Sequence, residues 1–230
     1  MQQEFLTDAL RLISEPRLRA FRGSSGSDED ALCRYLWNIA LCEALYPTFQ
    51  GLEVSYRNAV HGEIGKAMSK PEWLINDPAF LYESERLAIP AALEELKKQG
   101  KPATEPYLVA QLKFGFWTSL LDARYDRIWH KIIKGVFPNM PRTIRTRAEA
   151  SVRMNAVRRL RNAALHHHSI WHWRELHNDH LSARTWIAWI GASVAAMTEA
   201  VDRFPSVHKA TAEQFRAIAA AFSIKQPTSI

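Results

Sequence analysis

Glycine is scarce, with nine in 230 residues, which argues against a turn-rich all-β fold. Cysteine is scarcer still. Cys33 and Cys42 stand nine apart, in neither a CxxC nor a zinc spacing, and read as reduced thiols in a cytoplasmic protein. No basic segment leads into an apolar core at the N-terminus, so no signal peptide is expected. The most apolar segment, Trp186 to Met197, is too short for a bilayer span of about 20 residues, and no membrane association is expected. Alternation of apolar and polar residues is missing over any useful length, and no internal repeat appears. There is no glycine-rich phosphate loop, no nucleophile elbow and no HExxH. Six histidines lie between His166 and His180, but only Glu175 and Asp179 accompany them. Neither a metal nor another cofactor is expected.

What is abundant points to helices. Apolar residues make up 47%, too many for a disordered chain. Ala, Leu, Arg and Glu dominate, all good helix formers. The formal charge is +6 and the pI about 9.4, which permits a polyanionic partner. The fold class expected is all-α, one domain over residues 1–230, with eight to ten helices.

Taken in order, residues 2–22 read as a short helix interrupted near Pro16 and a further turn. Residues 24–28 (SSGSD) read as a loop, with Ser27 or Asp28 capping the next helix. That helix is expected to stop near Tyr46, and Pro47 to open another reaching residue 68. Residues 69–80 read as a connector, and 81–98 as a helix ended by Gly100 and Pro102. Thr104 is placed to cap a segment Tyr107–Leu121, broken at Gly115. Further helices are expected over 122–137, 143–167, 181–203 and 208–222, with a turn at Pro138 and Pro141 and a loop over 169–179.

The stretch Val157–Trp173, VRRLRNAALHHHSIWHW, carries the chemistry. Residues 134–161 hold eight basic side chains and one acid, Glu149. On a helix, Arg158, Asn162 and His166 stand at i, i+4 and i+8, one polar stripe, with Arg161 beside it. Val157, Leu160 and Ala164 fall on another side, at the spacing of a buried face. A stripe of Arg, Asn and His suits a phosphate better than a core. The bland readings stand beside it. Arg161 can serve as an ion-pair partner of Glu53, His166 as an ordinary satisfied histidine, and the basic run as a solvated face.

The segment RLRNAALHHHSIW resembles the signature of Abi-like (abortive infection) proteins of the HEPN superfamily: an Arg, a polar residue, four to six residues, then His. Arg161, Asn162 and His166 fit it. His168 departs from it, standing where that family has Glu. LEVSYRNAV (52–60), LKFGFWTSLL (112–121) and the Val-Asp-Arg-Phe at 201–204 also resemble pieces of that family, so the likeness covers about residues 30–205. The resemblance implies a HEPN-like helical bundle with additional helices, often a homodimer. It implies a metal-independent endoribonuclease acting as a toxin or in phage defence, with RNA as substrate and an antitoxin or regulatory protein as a possible partner. An alternative is a non-catalytic HEPN module that binds RNA or a protein.

The residue types suit that chemistry. RNA cleavage without a metal needs a base at the ribose 2′-OH and an acid at the leaving 5′-oxygen, and histidine can be either. A guanidinium matches the charge gathered on the non-bridging phosphate oxygens. Arg161, His166 and Asn162 are therefore the expected catalytic set. Arg158, His167, Arg153, Arg159 and Trp171 are expected to contact RNA, the arginines through phosphates and the tryptophan by stacking on a base.

Overall fold

The computed structural model describes residues 3–23 and 26–222. Ser24 and Ser25, two of the five residues of the expected SSGSD loop, lie outside them. The described residues form fourteen α-helices and two short 3-10 turns, and no strand occurs among them. The protein is all-α. No described helix is long and apolar enough to cross a membrane.

Two helices open the chain, α1 (Gln3–Ile13) and α2 (Glu15–Arg22). The long α3 (Asp28–Met68) follows. Ser27 caps it: its Oγ accepts the Asp30 N–H, and the Asp30 carboxylate accepts the Ser27 N–H, each at 3.2 Å. Next come α4 (Trp73–Asn76), α5 (Glu83–Arg86), α6 (Ala88–Lys98), α7 (Glu105–Gln111), α8 (Phe114–Ser119) and α9 (Asp126–Val136). The last group is α10 (Arg147–Leu165), α11 (Leu176–Ile190), α12 (Ala192–Ala200), α13 (Phe204–Lys209) and α14 (Ala212–Phe222).

Several expected boundaries need correction. Pro47 does not open a helix; it lies inside α3. It removes one N–H donor from the ladder, but Ala44, Leu45, Thr48 and Phe49 on either side are all buried, and packing carries the helix through. The expected break at Gly115 falls instead at Leu112–Lys113, where the backbone turns extended between buried Leu112 and Phe114. Gly115 sits inside α8, and its carbonyl accepts the Thr118 hydroxyl at 3.1 Å. Helices are more numerous than expected: 81–98 divides at Leu87, 107–121 at Leu112–Lys113 and 181–203 at Gly191, α4 lies within the expected connector 69–80, and α13 and α14 replace the single helix expected over 208–222. Thr104 holds the cap position of α7 but makes no capping bond with its side chain.

The chain sorts into two compact units, each assembled from separated segments. One comprises residues 48–158 and 181–200. Its core is aromatic. Phe137 stacks on Trp129 at 6.0 Å and on Tyr56 at 6.1 Å, and meets Trp186 edge-on at 4.8 Å. Buried Glu105 accepts the Leu74 and Ile75 N–H groups, at 2.9 and 3.1 Å, so it caps α4 from another helix. Gly51 lets α3 approach α12, since a Cβ there would meet the Thr198 hydroxyl at 2.5 Å.

The other unit comprises the described residues of the spans 1–47, 159–180 and 201–222. Leu18, Phe21, Leu41, Leu45, Leu160, Ile170, Leu176 and Phe204 supply its core, all of them buried. Cys33 and Cys42 are free thiols, and burial pushes Cys42 up to about 11.

Candidate functional site

The buried positions along α10 are Ala150, Met154, Val157, Leu160, Ala163 and Ala164. They repeat at three and four residues and bury one stripe of the helix. Asn162 is exposed on another side and Arg161 is partly exposed. The boundary between the two units falls inside α10, after Arg158. Arg161, Asn162, His166 and His167 therefore belong to one unit, and Arg158 and Arg153 to the other.

The helix ends at Leu165, two residues sooner than expected, and the way it ends sets the histidines. His167 adopts a left-handed conformation, φ 61°. Its N–H bonds the Ala164 carbonyl at 3.3 Å, and the His168 N–H reaches back to the Ala163 carbonyl at 2.8 Å. These two bonds form a Schellman cap, with histidine where glycine is usual. His166 is the last residue that keeps helical register, because its N–H still bonds the Asn162 carbonyl at 3.0 Å. Asn162 and His166 thus stand one turn apart, as their spacing requires. His166, His167 and His168 are all exposed. The Arg161 guanidinium donates to Asn162 Oδ1 at 3.2 Å.

The loop after the cap is anchored by a residue that motif reading passed over. Asn38 on α3 is 3% exposed. Its Oδ1 accepts the Ile170 N–H at 2.7 Å and the Trp171 N–H at 3.1 Å, while its Nδ2 donates to the His168 carbonyl at 3.2 Å. One amide side chain thus satisfies three backbone groups of the histidine loop. Arg17 on α2 donates to the His167 carbonyl, and the Trp171 indole N–H bonds the Ala20 carbonyl at 3.3 Å. Arg34 lies over the Trp171 ring at 5.3 Å. A signal for Asn38 existed in the sequence: a polar residue at helical spacing from Ala31, Leu41 and Leu45, all buried.

A histidine–aspartate pair lies deeper in the same unit. His180, fully buried on α11, places Nε2 3.0 Å from Asp202 Oδ2 and stacks on Phe204 at 4.3 Å. Two residues of the Val-Asp-Arg-Phe segment are therefore structural partners of a histidine. Phe204 also stacks on His208, which lies 5.6 Å from His177. Burial, then the neighbouring His177, pull His208 below the ordinary histidine value. Burial likewise raises the Asp179 carboxyl, against the opposing charge of Arg159.

The other basic side chains near α10, and Trp171, divide by what already occupies them. Arg153 pairs with Glu149 and lies over the Trp189 ring at 5.8 Å. Arg147 is held by Asp126 and by the Leu121 carbonyl, and Arg145 reaches the Pro138 carbonyl at 3.4 Å. Trp171 is partly exposed, with its N–H already used. Arg158 and Arg159 form no hydrogen bond or ion pair among the described residues; Arg159 is exposed and Arg158 partly so. Among the described residues, no group of three His, Cys, Asp or Glu side chains is placed to hold a metal ion.

No protein-family model, curated protein or solved structure matches the chain.

Proposed function

We infer that the chain is an endoribonuclease of the HEPN type, cutting RNA without a metal at the end of α10 and acting as a toxin or in phage defence. The observation that carries this reading is the exposed His166 one helical turn beyond Asn162, with the Arg161 guanidinium on Asn162 Oδ1. The resemblance of the same three residues to the Abi-like signature supports it. His166 removes the 2′-OH proton or protonates the leaving 5′-oxygen. Arg161 balances the charge on the phosphate, and Asn162 orients the guanidinium. The 2′-oxygen bonds to phosphorus as the 5′-oxygen departs with a proton, leaving a 2′,3′-cyclic phosphate and a 5′-hydroxyl. Two proton transfers ask for two catalytic groups, and a homodimer supplies a second copy of the set. His167 and Arg159 add phosphate contacts on this reading.

The test is growth on induced expression. The parent chain stops growth, and Arg161→Ala or His166→Ala each restores it at equal protein level. Equal toxicity of parent and both variants removes the catalytic reading.

A further inference from the structure

We propose that the unit of residues 48–158 and 181–200 carries a binding site for a phosphorylated nucleoside, in a cleft beside α5 and α9. The cleft holds about 750 Å³, inside the roughly 300–1,000 Å³ range of small-ligand sites. Four cations line it, Arg86, Arg124, Arg127 and Lys131, against one carboxylate, Glu83. The four are not equivalent. Arg124 is spent inward, on Glu85 Oε1 at 2.7 Å and the Ser84 hydroxyl at 3.2 Å. Arg86, Arg127 and Lys131 are exposed and form no hydrogen bond or ion pair among the described residues. Arg127 and Lys131 stand i, i+4 on α9, so both present to one side of it. Three unpaired cations converging on a concave site favour phosphate oxygens.

The aromatic half of the cleft makes a bare phosphate an incomplete fit. Tyr82 is 46% exposed, with Arg124 lying over its ring at 4.8 Å and Tyr125 edge-on at 5.3 Å. A ring and a guanidinium held this way offer a flat base a surface to stack on. Phe80, Ile128 and Met68 add apolar wall. The platform is fixed from beneath. Buried Glu85 accepts the Tyr125 hydroxyl at 2.6 Å, and the Tyr125 oxygen accepts the Tyr82 N–H at 3.0 Å. Burial alone would push the Glu85 carboxyl up. The hydrogen bonds from Tyr125, Ser119 and Ser84 and the charge of Arg124 outweigh it and keep the carboxyl below its ordinary value. Glu85 therefore stays ionised and holds Arg124 in position. The base and phosphate come either from a free nucleotide or from one nucleotide of a single strand. The site stands whether or not α10 cleaves RNA.

Calorimetric titration of the full chain carrying His166→Ala, which spares the oligonucleotide, tests this. The probes are ADP, adenosine, inorganic pyrophosphate and a five-nucleotide single-stranded RNA. ADP or the RNA binds, and pyrophosphate and adenosine each bind at least about tenfold more weakly, since each keeps only half the contacts. Tighter binding of ADP assigns a free nucleotide; tighter binding of the RNA assigns a strand. Arg127→Ala with Lys131→Ala, on the exposed side of α9, weakens the better ligand about tenfold or more. Tyr82→Ala does the same, while Tyr82→Phe keeps the binding. Binding of neither ADP nor RNA, pyrophosphate equal to both, or affinity unchanged by the α9 double substitution overturns the proposal.

Discussion

Asn38 accepts the backbone N–H of Ile170 at 2.7 Å, across 132 residues of chain. The same side chain serves Trp171 and His168 and is itself buried, so the histidine loop is fixed to α3 through one amide. Asn38→Leu leaves two N–H groups and one carbonyl of the loop without partners, and costs about 2–5 kcal/mol. Asn38→Asp keeps the two acceptor bonds but sets a carboxylate oxygen against the His168 carbonyl in a buried place, so it destabilises as well. Urea unfolding of the three proteins reads both losses. A loss under about 0.5 kcal/mol for Asn38→Leu, the range of an ordinary surface change, would show that the loop does not depend on this residue.

His167 occupies a left-handed backbone position, a conformation that costs an ordinary residue about 1–2 kcal/mol and glycine much less. His167→Gly is expected to raise stability by about 0.5–1 kcal/mol, because part of the relief is returned as chain entropy in the unfolded state. The bond from Arg17 goes to the residue 167 carbonyl and survives the change. If His167 only assists, cleavage in this variant falls modestly while His166→Ala abolishes it. A drop in stability for the glycine variant would contradict the strain assigned here.

His208 gives stability a pH dependence of known sign. Its folded value lies below the unfolded one, because burial and His177 oppose its charge. Well above about pH 6.5 neither state is protonated there and the group contributes nothing. As pH falls through that value, the unfolded chain takes up the proton first, and stability declines until the folded value is passed. His208→Asn removes this component. Melting temperatures measured from pH 7.5 down to pH 5 should fall less steeply for the variant than for the parent. Parallel curves would exclude His208 as a contributor.

The helical nature of the chain was legible at nearly every segment, because three- and four-residue apolar spacing marks α3, α9 and α10 without help from context. The buried stripe of α10 emerged at the expected Val157, Leu160 and Ala164. Stops were harder to read. α10 lacks a glycine at its end, and His167 takes the left-handed position instead, so the sequence carried no ordinary stop signal there. Pro47 carried a start signal that packing overrode. The nearness of Arg161, Asn162 and His166 at the end of α10 was legible, since local helical spacing decides it. Asn38 stood out only as a polar residue on a buried face; its partners in the loop, like that of Arg17, lie more than a hundred residues away, and no local pattern names them. The cleft beside α5 and α9 was missed for the same reason: Tyr82, Arg86, Arg127 and Lys131 come from two segments that only the fold brings together.

The most direct measurement is incubation of the purified chain with end-labelled single-stranded RNA in EDTA, beside His166→Ala. The account expects the parent alone to cut, leaving 2′,3′-cyclic phosphate and 5′-hydroxyl ends, with the variant down by a factor of about 100 or more, the scale of a lost proton-transfer group. Equal cutting by both proteins, or cutting that appears only when a divalent cation is restored, would contradict the assignment of Arg161 and His166.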